Sequence, residues 1–166
     1  GFLERGAKNR GVTIGTDFAE GLPDIVSDRG QLQQVFLNIM GNALDAVPDG
    51  GKVDIACSRM ADGGLLVRVT DNGKGMSPEV IKHIFEPFFT TKKTGEGTGL
   101  GLALADQIIR THRGRIRAES TIGRGTTFYV YLPVLEQQQE REQLQWGVDS
   151  KLRILAAVSY THLTLP

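Results

Sequence analysis

Between Ser27 and Val47 the apolar positions Leu32, Val35, Phe36, Ile39, Ala43 and Val47 return every three or four residues. That period gives a helix one apolar face. Ser27-Asp28 supplies its N-cap, and Pro48-Asp49-Gly50-Gly51 ends it in a turn. Beyond the turn, Val53–Arg59 and Leu65–Thr70 read as two strands around Ala61–Gly64, an antiparallel hairpin. Ser77-Pro78 opens a short helix through His83, and Glu86–Thr98 is a polar loop. Gly99–Thr111 returns to helical spacing through Leu102, Leu104, Ala105, Ile108 and Ile109. Arg115–Glu119 and Thr126–Leu132 close the pattern as two more strands, and Val12–Ile14 is a short strand near the start. Strands from both halves with helices between them predict a two-layer α/β sandwich. One layer of helices would cover one face of one sheet.

The pattern fails after residue 135. EQQQEREQLQ is polar with little apolar stripe and reads as a linker or exposed helix. KLRILA (151–156) would fit the start of another domain, and the final SYTHLTLP reads as sequence from outside the native protein. The expected division is a domain over 1–135 and a linker or tail over 136–166.

Composition narrows the class. The 166 residues carry 19 Lys+Arg against 19 Asp+Glu, which argues against a nucleic-acid binder working through bulk charge. One cysteine, Cys57, excludes a disulfide framework and any multi-cysteine metal site within the chain. No run of eighteen apolar residues occurs, and GFLERGAKNR lacks a signal peptide's apolar core. A cytoplasmic protein, or the cytoplasmic part of something longer and without membrane contact of its own, is expected. Glycine is the outlier, 21 residues clustered in particular loops.

Four features offer chemistry. Gln31, Gln34, Asn38, Asn42 and Asp45 form a polar stripe along the long helix. It is either a solvated face or a source of amide oxygens for a hydrated divalent cation. Asp71-Asn72-Gly73-Lys74-Gly75, at a strand end, is either a tight turn or a fixed carboxylate able to accept from an exocyclic amine. Gly95–Leu102 (GEGTGLGL) runs straight into a helix; it is either a hinge or a polyphosphate cradle of backbone N–H groups. It fits neither G-x-G-x-x-G nor the P-loop pattern. Gly123–Phe128 opens the last strand as a hairpin turn, with Thr126 able to bond a base edge.

In order, QVFLNIMGNALDA, DNGKGM, IFEPFFTTK, GEGTGLGLAL and GRGTTFYVYLP closely resemble the ATP-binding catalytic domain of two-component sensor histidine kinases, within the gyrase and histidine-kinase-like ATPase superfamily. The resemblance covers about residues 10–134. It implies a two-layer α/β sandwich, three helices on one face of a mixed, mostly antiparallel sheet, with ATP and Mg2+ as ligands. By position, Asn38 and Asn42 match the first box, Asn42 holding magnesium. Asp71 matches the adenine-amine acceptor, with Gly73, Gly75 and Met76 flanking the base. Phe85, Phe88 and Phe89 match the aromatic box that opens the nucleotide lid. Gly97, Thr98, Gly99, Leu100, Gly101 and Leu102 match the lid's end against the phosphates, and Thr126 lies near adenine. Lys92, or its neighbour Lys93, would reach a phosphate from the lid. Asp45 stands in the nucleotide site where many relatives carry Lys or Arg.

The implied activity is transfer of the γ-phosphoryl group to a histidine in a dimerisation domain outside this chain. The implied partners are that domain and a response-regulator receiver. His83, His112 and His162 match no phosphoacceptor motif and read as structural or exposed. The competing reading is a conformational ATPase of the same superfamily, which needs a glutamate base one turn before Asn42. That position is Asn38, an amide unable to accept a proton at neutral pH. A non-catalytic nucleotide-sensing module would be expected to lose Asp71, Asn42 or the lid glycines, and all are present.

Overall fold

A computed structural model describes residues 1–134. The expectations for the linker, for KLRILA and for His162 lie outside the described residues. Chain order runs α1 (Phe2–Asn9), β1 (Thr13–Phe18), α2 (Arg29–Ala46), β2 (Lys52–Arg59), β3 (Leu65–Asp71), α3 (Pro78–Ile81), α4 (Gly101–Thr111), β4 (Arg115–Thr121) and β5 (Gly125–Leu132). The five strands form one sheet in the order β1-β2-β3-β5-β4. Only β1 and β2 run parallel; β2–β3, β3–β5 and β4–β5 are antiparallel. The mixed, mostly antiparallel sheet is as the family resemblance implied.

Strict alternation in β2 and β3 sends Val53, Ile55, Cys57, Val67 and Val69 to the helix-covered face. There they meet the apolar stripe of α2, where Leu32, Val35, Phe36, Ile39, Met40 and Ala43 are at most 1% exposed. Ala105 and Ile109 of α4 complete the layer. Burial pushes the Cys57 thiol up to about 12, which leaves it a small hydrophobe rather than a nucleophile.

Several elements differ from the sequence reading. α1 was not anticipated: it is two turns long, with Ala7 buried and Leu3 packed against the core. β1 continues past Ile14 to Phe18 because β2 supplies a hydrogen-bonding partner along that length. The helix after Ser77 is regular only over Pro78–Ile81. α4 begins at Gly101 rather than Gly99, because Gly99 sits at φ +68, outside helical space.

Two side chains secure the ends of the helical layer. Arg10 donates to the carbonyls of Leu44 (2.8 Å) and Val47 (2.5 Å) at the C-terminus of α2, and to the Asp49 carboxylate (2.8 Å). A cation there also complements the helix dipole. Arg10→Ala is expected to lower the unfolding free energy by about 2 kcal/mol. A drop in the urea midpoint at unchanged slope would check this. Arg10→Lys should restore little, since an ammonium lacks the planar fork. At the opposite end, His112 Nδ1 donates to the Ile108 carbonyl (2.8 Å), while Nε2 accepts from the Asp28 N–H (3.2 Å). That imidazole is a strut joining α4 to the cap of α2.

Candidate functional site

The helix layer and the sheet part at one end, around a cavity of about 710 Å3. Its walls come from α2, the end of β3, the segment 74–76, the lid segment 89–99, the start of α4 and the start of β5. This volume suits a small-molecule ligand.

The buried end is polar. Asp71 and Thr126 are the only buried polar or charged residues among those described, at 4% and 5% exposure, and both line this cavity. Asp71 closes β3, opposite β5 across the sheet. Its Oδ1 accepts the N–H of Gly73 (2.8 Å) and of Thr126 (3.3 Å). Burial holds the carboxyl above its usual range, and these two N–H groups pull it partly back. A buried carboxylate with one oxygen still uncommitted needs a donor from a ligand or water to be satisfied.

The α2 wall carries the amides. Asn42 gives its Nδ2 to the Asn38 carbonyl (3.0 Å), which turns its amide oxygen to the cavity without a protein partner. Asn38 is committed at both ends: Nδ2 donates to the Gly101 carbonyl (2.8 Å), and Oδ1 accepts from Gln34 (2.9 Å). It therefore ties α2 to the start of α4. Asp45, one turn further, is ion-paired with Lys92 of the lid across the cavity mouth. Gln31 and Gln34 lie outside the cavity, so the polar stripe divides into a solvated part and a cavity part.

The lid is a loop closed at its neck, where the Phe88 N–H donates to the Gly99 carbonyl (2.8 Å). Gly97, Thr98 and Gly99 line the cavity beside Lys92. Gly101 and Leu102 lie there too, at the first turn of α4, which no side chain caps. An uncapped helix start presents N–H groups suited to an anion.

Asn38, Asn42, Asp45, Asp71, Gly75, Met76, Lys92, Gly97, Thr98, Gly99, Gly101, Leu102 and Thr126 thus share one cavity. Gly73, Phe85 and Leu100 do not line it. Gly73 sits behind Asp71 and reaches the site only through its N–H; a side chain there would strike the Ala46 carbonyl. Phe85 packs on the core, leaving Phe89 of the same box on the cavity wall. Leu100 is 42% exposed, turned away at the start of α4. Ile84, Phe128 and Val80 form an apolar wall that the sequence reading missed. Ile84 and Phe128 stand within the motifs IFEPFFTTK and GRGTTFYVYLP, and Val80 lies just before the first, so the signal was present in the sequence. His83 is held by Glu86 (2.9 Å) and stacks on Phe89, a structural arrangement like that of His112.

A five-stranded sheet under one helical layer, with the candidate residues gathered in a cavity between them, is the architecture in which the comparisons place this chain. Residues 27–136 match the family described as histidine kinase-, DNA gyrase B-, and HSP90-like ATPase, and the chain belongs to that family. It is 39% identical over 130 residues to sporulation kinase E of Bacillus subtilis, covering 78% of this chain and 17% of that protein. It is also 39% identical over 140 residues to the sensor histidine kinase ZraS of Klebsiella oxytoca, covering 84% of this chain and 30% of that protein. The chain therefore spans less than a third of either relative. Among solved structures, the catalytic domain of the histidine kinase ThkA, in a nucleotide-free form, superposes with a TM-score of 0.70 at 30% identity, covering 80% of this chain and 85% of that one. Full-length ShkA in complex with AMPPNP superposes at 0.71, also at 30% identity, covering 80% of this chain and 27% of that one. Among the described residues, no helix is long and apolar enough to cross a membrane.

Proposed function

We infer that residues 1–135 are the Mg-ATP-binding catalytic domain of a sensor histidine kinase, whose γ-phosphoryl group goes to a histidine on a dimerisation domain outside this chain. The observation that carries the reading is the pairing of Asp71 and Thr126, the two buried polar residues, at the closed end of a cavity whose open end is lined by amides, glycines and a helix start. That order of groups suits a base at one end and phosphates at the other. Asp71 would accept the adenine amine. The lid N–H groups and the first turn of α4 would hold the phosphates. Lys92, paired with Asp45, would exchange that partner for a phosphate oxygen.

The Asn42 amide oxygen is a hard ligand without a protein partner, which fits magnesium. Among the described residues no cluster of three His, Cys, Asp or Glu could hold a metal by itself. Asn42 and the phosphates would therefore share it. The ion, when bound, neutralises phosphate charge. The chain's own contribution to transfer is then positioning, because a neutral imidazole acceptor needs no strong base from this domain. The receiver of a response regulator would take the phosphoryl group onward.

Hydrolysis is the weaker reading. A conformational ATPase needs a base at position 38, and the Asn38 amide is occupied at both ends.

Calorimetry on the full chain tests this reading. Wild type should bind ATP with magnesium and more weakly without it, while Asn42→Ala should bind equally in both conditions, losing about tenfold where magnesium is present. Magnesium dependence that survives in Asn42→Ala would remove the metal assignment. A folded wild type that binds no ATP at millimolar concentration would sink the kinase reading.

A further inference from the structure

We propose that Ser120 of β4, which does not line the cavity, sets the preference for a 6-amino purine by fixing the direction of the Thr126 hydroxyl proton. The proposal rests on the nucleotide reading and concerns a residue outside all five sequence motifs. Ser120 Oγ lies 2.7 Å from the Met76 backbone nitrogen, 2.9 Å from the Gly125 carbonyl oxygen and 2.7 Å from Thr126 Oγ1. A serine hydroxyl has one proton and two lone pairs.

Only one arrangement of protons makes all three contacts hydrogen bonds at once. The Gly125 carbonyl can only accept, so it takes the serine proton. The Met76 N–H can only donate, so it fills one lone pair. The remaining lone pair receives the proton of Thr126. The Thr126 hydroxyl is therefore committed as a donor to Ser120 and offers the cavity lone pairs alone.

Beside it, Asp71 Oδ1 holds two backbone N–H groups, and Oδ2 has no partner among the described residues. An ionised carboxylate can only accept. The buried end of the cavity thus displays acceptors and no side-chain donor. A 6-amino purine brings N–H donors to that surface. A 6-oxo purine would set its carbonyl oxygen against two acceptors, leaving buried lone pairs opposed. Ser120 touches no ligand. It is a positioning residue, and it also pins the 75–76 segment to β4.

The test is calorimetric titration of the full chain with Mg-ATP and with Mg-ITP, its 6-oxo counterpart. Wild type should bind ATP at least about tenfold more tightly. In Ser120→Ala the Thr126 proton is free to turn into the cavity, and the ATP-to-ITP ratio should fall by about tenfold. Ser120→Thr, which keeps the hydroxyl, should retain the wild-type ratio. Thr126→Val should lower the ratio by itself, and adding Ser120→Ala to it should change the ratio no further. Both affinities falling together in Ser120→Ala, or a ratio change that persists in the Thr126→Val background, would overturn the proposal. Should Ser120→Ala not fold, Thr126→Val decides: an unmoved ratio overturns the proposal. A wild type that binds no ATP refutes the nucleotide reading and this inference with it, whereas ATP binding with an unmoved ratio refutes the inference alone.

Discussion

Asp71→Asn should abolish most ATP binding while leaving the protein at least as stable as wild type at neutral pH. Asparagine keeps an oxygen for the Gly73 and Thr126 N–H groups but aims an amide NH2 at the cavity, donor against donor for an adenine amine. Losing a charge-assisted bond and opposing two donors should weaken binding by about 3 kcal/mol, roughly 150-fold. Stability should move the other way. The folded-state pKa of Asp71 lies above its unfolded value, because burial disfavours the charge. The contribution of such a group is fully present below the unfolded pKa and is lost as pH rises through the folded one. At neutral pH the ionised carboxylate therefore opposes folding, and asparagine relieves it. The urea midpoint of Asp71→Asn should equal or exceed that of wild type at pH 7. The gain should vanish on acidification through the range just above that of an ordinary carboxylate. ATP affinity of the wild type should weaken over the same acid range, as the acceptor is protonated, while that of Asp71→Asn should stay flat. A variant that unfolds at pH 7 would make Asp71 a structural carboxylate instead.

Gly75→Ala should be a severely damaging single methyl at the cavity wall. Gly75 holds φ +69, a left-handed conformation that costs an alanine about 1 kcal/mol. A Cβ there would also lie 2.0 Å from the Thr121 carbonyl oxygen and 2.7 Å from its carbon. Both obstacles are backbone, so the 75–76 segment and the β4–β5 turn must separate. That movement pulls the Met76 N–H from Ser120 and disturbs the Thr126 end of the cavity. The expected loss is about 3 kcal/mol of stability, with ATP affinity down more than tenfold. Gly123→Ala makes the contrast. Its φ is +79, but no heavy atom lies within 4 Å of an added Cβ. It should lose only about 1 kcal/mol and leave affinity unchanged. Equal effects from the two variants in thermal unfolding and titration would show that the close approach at Gly75 matters little.

Gly75 also shows where reading motifs from sequence stops. DNGKG suggested glycines that let a flat ligand come near. In the fold, the neighbours that exclude a side chain at Gly73 and Gly75 are the carbonyls of Ala46 and Thr121. The residue type was legible and its reason was not, because the obstacle belongs to segments distant in sequence. Asn38 teaches the same lesson. An amide on a helix face can ligate, donate or brace, and only the arrival of the Gly101 carbonyl at 2.8 Å makes it a brace. Lys92 and Asp45, forty-seven residues apart, become partners only when the lid folds over α2.

The part of the fold dictated by residue order alone follows from short-range periodicity. Apolar spacing of 3.6 on α2 and of 2 on β2 and β3 dictated which faces are buried, hence a helical layer on one face of a sheet. The ordered motifs also placed most of the cavity wall, since each is a strand end, a helix start or a loop. Tertiary structure alone decided the direction of each hydrogen bond and the occupancy of each polar atom. α1 is only two turns long, and its apolar pair Leu3 and Ala7 gains a partner only when the helix packs on the core. The Thr126 hydroxyl acquired its orientation only when β4 and β5 brought Ser120, Gly125 and the Met76 N–H around one oxygen. Periodicity constrains which side of an element meets the core. Hydrogen bonding depends on atoms within about 3 Å, and in a folded chain those atoms come from residues far apart in sequence.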